Sequence, residues 1–102
     1  MTEASSKKTI LIVDDHPLFR HGLSALVAAE PDLEVIGDAT SLEDAKAKLE
    51  TIKPDAVVVD LALAGGGGLE LVRHIQLKEL GIPTLVVSMH DEALFADRAL
   101  RT

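Results

Sequence analysis

Two apolar runs of strand length each end on aspartate: Thr9 to Val13 is closed by Asp14 and Asp15, and Ala56 to Val59 is closed by Asp60. Short runs rich in Val and Ile suit strands buried on both faces, which belong in a parallel sheet covered by helices. If the two runs lie side by side, about 4.8 Å apart, the three carboxylates meet at one sheet edge. Such a cluster opposes folding, because two carboxylates roughly 5 Å apart at an effective dielectric near 20 repel by about 3 kcal/mol. The site therefore either holds a proton or recruits a cation. A hard, oxygen-seeking ion, Mg2+ above all, suits these donors.

The rest of the chain supplies the helices that such a sheet needs. Pro17 opens a helix whose Phe19, Leu23, Leu26 and Val27 share one face while Arg20, His21 and Ser24 point away, and which ends near Glu30 and Pro31. Leu33 to Ala39 alternates enough to be an edge strand. Ser41 with Asp44 three residues on forms a helix cap, followed by Leu42, Ala45, Leu49 and Ile52 at helical spacing. Asp55 to Asp60 is a central strand. After the glycines at 65 to 68, Leu69, Val72 and Ile75 give a third helix, stopped by Gly81 and Pro83. Thr84 to Ser88 is a fourth strand, and Asp91 caps a last helix starting at Glu92. The pattern predicts an α/β protein: one doubly wound domain over residues 9–102 behind a disordered tail, residues 1–8.

Charge and composition narrow the function. A net charge of -7 argues against a surface that neutralises nucleic-acid phosphates or lies on anionic lipid. The absence of cysteine removes disulfides, thiol catalysis and thiolate metal sites. The first apolar stretch is too short for a signal-peptide core or a membrane span, so a cytoplasmic protein is expected. The glycines at 65 to 68 have no following Lys-Ser or Lys-Thr and read as a flexible turn, not a phosphate cradle. His16, His21, His74 and His90 lack metal-set spacing, and only His16, beside the acidic pair, is near chemistry. Ser88 lacks the elbow motif of a nucleophilic serine and is expected to form hydrogen bonds. Phe19 and Phe95 are packing residues.

The segment Ile10 to Arg20, with its Asp14-Asp15-His16-Pro17 core, together with Val59-Asp60-Leu61, Gly68-Leu69-Glu70 and Val87-Ser88-Met89-His90-Asp91, resembles the receiver domain of two-component response regulators. Within that family the chain is most similar to receivers that precede a LuxR-type helix-turn-helix in bacterial transcription regulators. The resemblance implies a flavodoxin-like sheet of order 2-1-3-4-5 with ligand chemistry at the carboxyl ends of the strands. It also implies that Asp60 accepts a phosphoryl group from a sensor histidine kinase or phosphotransfer protein, and that Asp14, Asp15, Asp60 and the Ala62 backbone carbonyl hold Mg2+. Ser88 would bond a phosphoryl oxygen and act as a switch. Such a module is no enzyme beyond phosphorylating and dephosphorylating itself, and it controls a DNA-binding part that lies outside this chain.

The family's fifth strand, with its phosphate-contacting lysine, and its fifth helix have no counterpart here, so the expected sheet is 2-1-3-4. Lys53 precedes the third strand at the opposite sheet edge, and Lys46, Lys48 and Lys78 lie on helices. Impaired coupling between phosphate and output is expected, as is self-association through the exposed edge of strand four or by exchange of an element. Leu63-Ala64 replaces the family's common Met-Pro, which with the glycines predicts a mobile loop. Two other functions fit less of the pattern: a Mg2+-dependent aspartyl phosphatase or phosphotransferase, which ordinarily needs Asp-x-Asp after strand one, and an interaction fragment that dimerises without being phosphorylated.

Overall fold

The computed structural model describes residues 7–87. Seven main elements follow in order: β1 (Lys8–Val13), α1 (Pro17–Ala28), β2 (Leu33–Ala39), α2 (Leu42–Thr51), β3 (Ala56–Asp60), α3 (Gly67–Leu77) and β4 (Thr84–Val87). One 3-10 turn, Ala64–Gly66, leads into α3. The strands form a single parallel sheet in the order β2-β1-β3-β4. Parallel neighbours cannot be joined by a hairpin, so every strand-to-strand connection must cross the sheet through a helix.

Alternation along the strands sorts the core into two layers. Leu11, Val13, Val57 and Val59 point to the face covered by Ala45 and Leu49 of α2 and by Leu71 and Ile75 of α3. Ile10, Ile12 and Val58 point to the other face, where Leu23 and Val27 of α1 pack. Helices on both faces of one parallel sheet make the fold doubly wound. Among the described strands β1 and β3 have neighbours on both sides, which is why their apolar runs are unbroken.

The register is set at the end of the sheet away from Asp14 and Asp60. There the Asp55 carboxylate accepts hydrogen bonds from the Thr9 amide at 2.8 Å and the Thr9 hydroxyl at 3.1 Å. The Asp55 amide donates to Thr9 Oγ1 at 3.0 Å. These bonds hold the Asp55 carboxyl below its ordinary value, mainly through the Thr9 amide. With Ile10 opposite Ala56, the ladder then runs evenly to Val13 opposite Val59. The β1–β2 pairing is less regular, shifting by one residue between Ile10 and Leu11, a bulge of the kind edge strands carry.

The elements expected within residues 7–87 are found, with four corrections. β1 begins at Lys8, so the expected 1–8 tail is at least one residue too long. Leu26, placed on the core face of α1, is 70% exposed, and Arg20, placed outward, folds back against the sheet edge. The face of α1 that meets the sheet is the one carrying Leu23 and Val27, which at i, i+3, i+7 spacing also carries Arg20 and turns Leu26 outward. The glycine run is not simply a flexible turn. Gly65 and Gly66 adopt positive φ, but Gly67 and Gly68 are buried in the first turn of α3. Leu63, expected in a loose loop, is 2% exposed and part of the core. Ser88, expected to end strand four, and the helix expected from Glu92 lie outside the described residues. No described helix is long and apolar enough to cross a membrane.

Leu11 is fully buried in the larger layer, whereas Leu18 on α1 is 88% exposed. Leu11→Ala is expected to cost about 3 kcal/mol in urea unfolding, from lost transfer energy plus a cavity. Leu18→Ala is expected to change stability by no more than about 0.5 kcal/mol.

Candidate functional site

Pairing of Val13 with Val59 brings the next residue of each chain segment side by side at the carboxyl edge of the sheet. Asp14 and Asp60 are therefore neighbours, and both are fully buried. The Asp14 amide donates to Ala39 O at 2.9 Å, which ties this end of β1 to β2. On the other side the Leu61 amide donates to Val87 O at 2.7 Å, which ties the end of β3 to β4. The backbone around the two aspartates is thus hydrogen-bonded into the sheet, and the acids themselves have little freedom to move apart.

Each buried carboxylate has one oxygen engaged and one left over. Asp14 Oδ1 accepts from the His16 amide at 2.8 Å, and Asp60 Oδ1 accepts from the Ala62 amide at 3.0 Å. Both are local turns in which an aspartate caps the backbone two residues on. Asp15, whose side chain is 27% exposed, accepts from the Ala64 amide through Oδ2 at 3.3 Å. Asp14 Oδ2, Asp15 Oδ1 and Asp60 Oδ2 are buried without a hydrogen-bond partner. One donor atom from each of Asp14, Asp15, His16 and Asp60 lies within 4.8 Å of the others.

Three buried, unpartnered carboxylate oxygens converging this closely are an unfavourable arrangement unless a positive charge sits among them. Burial pushes the Asp14 carboxyl above its ordinary value, and the Asp60 charge pushes it further, while the His16 amide partly offsets both. Oxygen donors in this number and spacing fit a hard dication. The acidic edge is a pocket able to hold a metal ion.

Of the residues singled out in the sequence, Asp14, Asp15 and Asp60 lie together, and Ala62 contacts Asp60 through its amide, a different group from the carbonyl expected to be a metal ligand. Ser88 and His90 lie outside the described residues. His21 is exposed, and His74 on α3 is held below its ordinary pKa first by burial and then by Lys46 and Lys78. Arg20 was missed. Its Nη1 donates to Asp14 O at 3.1 Å and its Nε lies 3.2 Å from Asp38 Oδ2. A basic residue in the first turn of the helix that begins two residues after an acidic pair was the available signal, since the start of α1 is anchored beside that pair. Gly68 is the other structural contributor: a Cβ there would stand 2.6 Å from Asp60 O and 3.0 Å from Leu61 Cα, so only glycine lets α3 approach the loop after β3.

A doubly wound parallel sheet with a carboxylate cluster able to hold a cation at its carboxyl edge defines the class of protein. Comparison with known proteins narrows it. The description of the response regulator receiver domain matches residues 10–102. The transcriptional regulatory protein DegU of Brevibacillus brevis is 33% identical over 97 residues, covering 95% of this chain and 41% of its own length. The nitrate/nitrite response regulator protein NarL of Escherichia coli K12 is 37% identical over 86 residues, covering 82% and 40%. A crystal structure of a two-component response regulator of the LuxR family from Aurantimonas sp. SI85-9A1 superimposes with a TM-score of 0.77 at 37% identity, covering 94% of this chain and 69% of that one. The chain belongs to the response regulator receiver-domain family. It spans about two fifths of the length of these curated relatives.

Because the Asp14 carboxyl is raised in the folded state, the folded protein holds a proton that the unfolded chain has already released above 3.8. That contribution to stability is fully present below 3.8 and is lost as pH rises through the raised value. Asp14→Asn keeps an oxygen for the His16 amide and removes the charge. In chelator, urea unfolding is expected to show the variant more stable than wild type near neutral pH, by on the order of 1 kcal/mol. The difference is expected to shrink as the pH is lowered toward 4.

Proposed function

We propose that this domain is a phosphoacceptor in which Asp60 is phosphorylated in a Mg2+-dependent reaction. The observation that carries the reading is the convergence of Asp14 Oδ2, Asp15 Oδ1 and Asp60 Oδ2, buried and without hydrogen-bond partners. Asp14, Asp15 and Asp60, with the Ala62 carbonyl, would hold Mg2+, which when bound supplies positive charge against the phosphoryl oxygens. The chain's own work is positional. The Ala62 amide fixes the Asp60 carboxylate in direction, holding it to bond phosphorus as the bond between phosphorus and the donor nitrogen breaks. A phosphohistidine on a sensor kinase or phosphotransfer protein is the natural donor for this family.

Ser88 follows directly on Val87, which lies opposite Asp60 in the sheet and whose carbonyl accepts from the Leu61 amide. That placement supports a role for the Ser88 hydroxyl in bonding the phosphoryl group and biasing the segment after it. The output is the control of a DNA-binding part, as in the transcription regulators to which the chain is similar. With its net charge of -7, this domain is itself a poor partner for nucleic acid.

Incubation with Mg2+ and a small phosphodonor, read by intact mass, is expected to give one phosphoryl adduct on wild type and none on Asp60→Asn. Multiple turnover of a phosphomonoester would favour a phosphatase instead. No adduct at any donor concentration would leave only an interaction module.

Among the described residues β4 pairs with β3 alone, which supports its outer edge, beside Leu85 and Val87, as a surface for pairing with a second copy. This edge is the proposed surface for self-association of the 102-residue chain. Sedimentation at rising concentration is expected to show dimers, and a monomer throughout would refute it.

A further inference from the structure

Resting on the reading of the acidic edge as a cation site, we propose that His16 Nδ1 is a further ligand of the bound ion, so that the site takes first-row transition-metal dications as well as Mg2+. The imidazole is placed there by backbone geometry. Proline at position 17 bars the helical conformation for the residue before it, and His16 is accordingly extended, with φ -103 and ψ 109. The chain thus turns sharply at Asp15 and His16, and the ring is carried over the sheet edge and not along α1.

Its nitrogen then lies 3.0 Å from Asp15 Oδ1, 3.5 Å from Asp14 Oδ1 and 3.8 Å from Asp60 Oδ2. Neighbouring donors around an octahedral ion of about 2.1 Å bond length are about 3 Å apart, so these separations suit atoms of one coordination shell. The contact with Asp15 is short, yet Asp15 Oδ1 has no hydrogen-bond partner. The two atoms approach without the ring N–H pointing at the oxygen, as donors aimed at a shared point do. Apart from charge pairing with these same acids, neither helix capping nor core packing accounts for the position: His16 makes no side-chain cap to α1, and its side chain is 53% exposed. The independent sign of a ligand is the pair of fully buried carboxylates, Asp14 and Asp60, each with an unpartnered Oδ2 aimed into the same space.

An imidazole nitrogen among carboxylates changes which ions are favoured. Mg2+ binds through oxygen and readily keeps water in place of a nitrogen donor, whereas Mn2+, Ni2+ and Zn2+ gain from imidazole, increasingly along that part of the series up to Ni2+. His16 should therefore matter little for Mg2+ and much for Ni2+.

Titration calorimetry of wild type, His16→Ala and Asp14→Asn with Mg2+ and with Ni2+ tests this, with circular dichroism confirming that each variant is folded. His16→Ala is expected to weaken Ni2+ binding about tenfold or more while changing Mg2+ binding less than twofold. Ni2+ bound at other histidines is identified as the component that persists in Asp14→Asn. Pulsed electron paramagnetic resonance of the Mn2+ complex is expected to show coupling to a coordinated nitrogen in wild type and none in His16→Ala. Equal effects of His16→Ala on both metals, or no effect on either, would overturn the role of His16 and leave the acidic site standing. Failure of wild type to bind either metal would instead overturn the cation site itself, and this inference with it.

Discussion

The parallel pairing of β1 with β3 both builds the core and creates the electrostatic difficulty at its edge. Burying Leu11, Val13, Val57 and Val59 on one face and Ile10, Ile12 and Val58 on the other requires these two strands to lie together in this register. The same register delivers Asp14 and Asp60 to one place with no exposure to water. Hydrophobic burial over two central strands amounts to many kcal/mol, while the repulsion it enforces is about 3 kcal/mol per close pair of carboxylates. The fold can therefore sustain a charge cluster that would not assemble by itself. The strain left there is what a proton or a cation relieves.

The two ends of the sheet divide the labour. At one end Thr9 and Asp55 exchange hydrogen bonds and keep β1 and β3 aligned. At the other, three backbone amides aim the acids: those of His16, Ala62 and Ala64 each hold one carboxylate oxygen. Gly68 lets α3 close on the loop after Asp60, and Arg20 holds the carbonyl of Asp14 from the start of α1. A site positioned by three elements, with its spare oxygens fixed in direction, is preorganised for an ion and needs little rearrangement to bind one.

Much of this was legible before any coordinates. The strand and helix boundaries follow from the apolar runs, the Ser41 cap and the prolines, because those features act within a few residues of where they stand. That Asp14, Asp15 and Asp60 close two strand-length apolar runs was also readable, and the family resemblance, which makes those strands neighbours, added that they meet. Less visible were the residues whose role depends on how a helix sits on the sheet. Leu26 and Arg20 exchanged their expected environments because helical spacing tells which residues share a face but not how far that face is rotated toward the core. The glycines at 65 to 68 looked alike in sequence, yet two make a left-handed turn and two lie buried in a helix. Their difference is a matter of what packs nearby.

The order of strands and the side of the sheet each helix covers required the resemblance to a known family or the fold itself, since periodicity alone does not say which strands are neighbours. The amino-acid sequence by itself determined the elements, the two acidic strand ends and the family, because hydrophobic period, caps and short motifs are local properties of a chain. Only the tertiary structure decided that three carboxylate oxygens and an imidazole nitrogen share one small space, with Arg20 behind them. Distances between residues some forty-five positions apart are set by strand register and helix placement, which exist only once the whole sheet has formed.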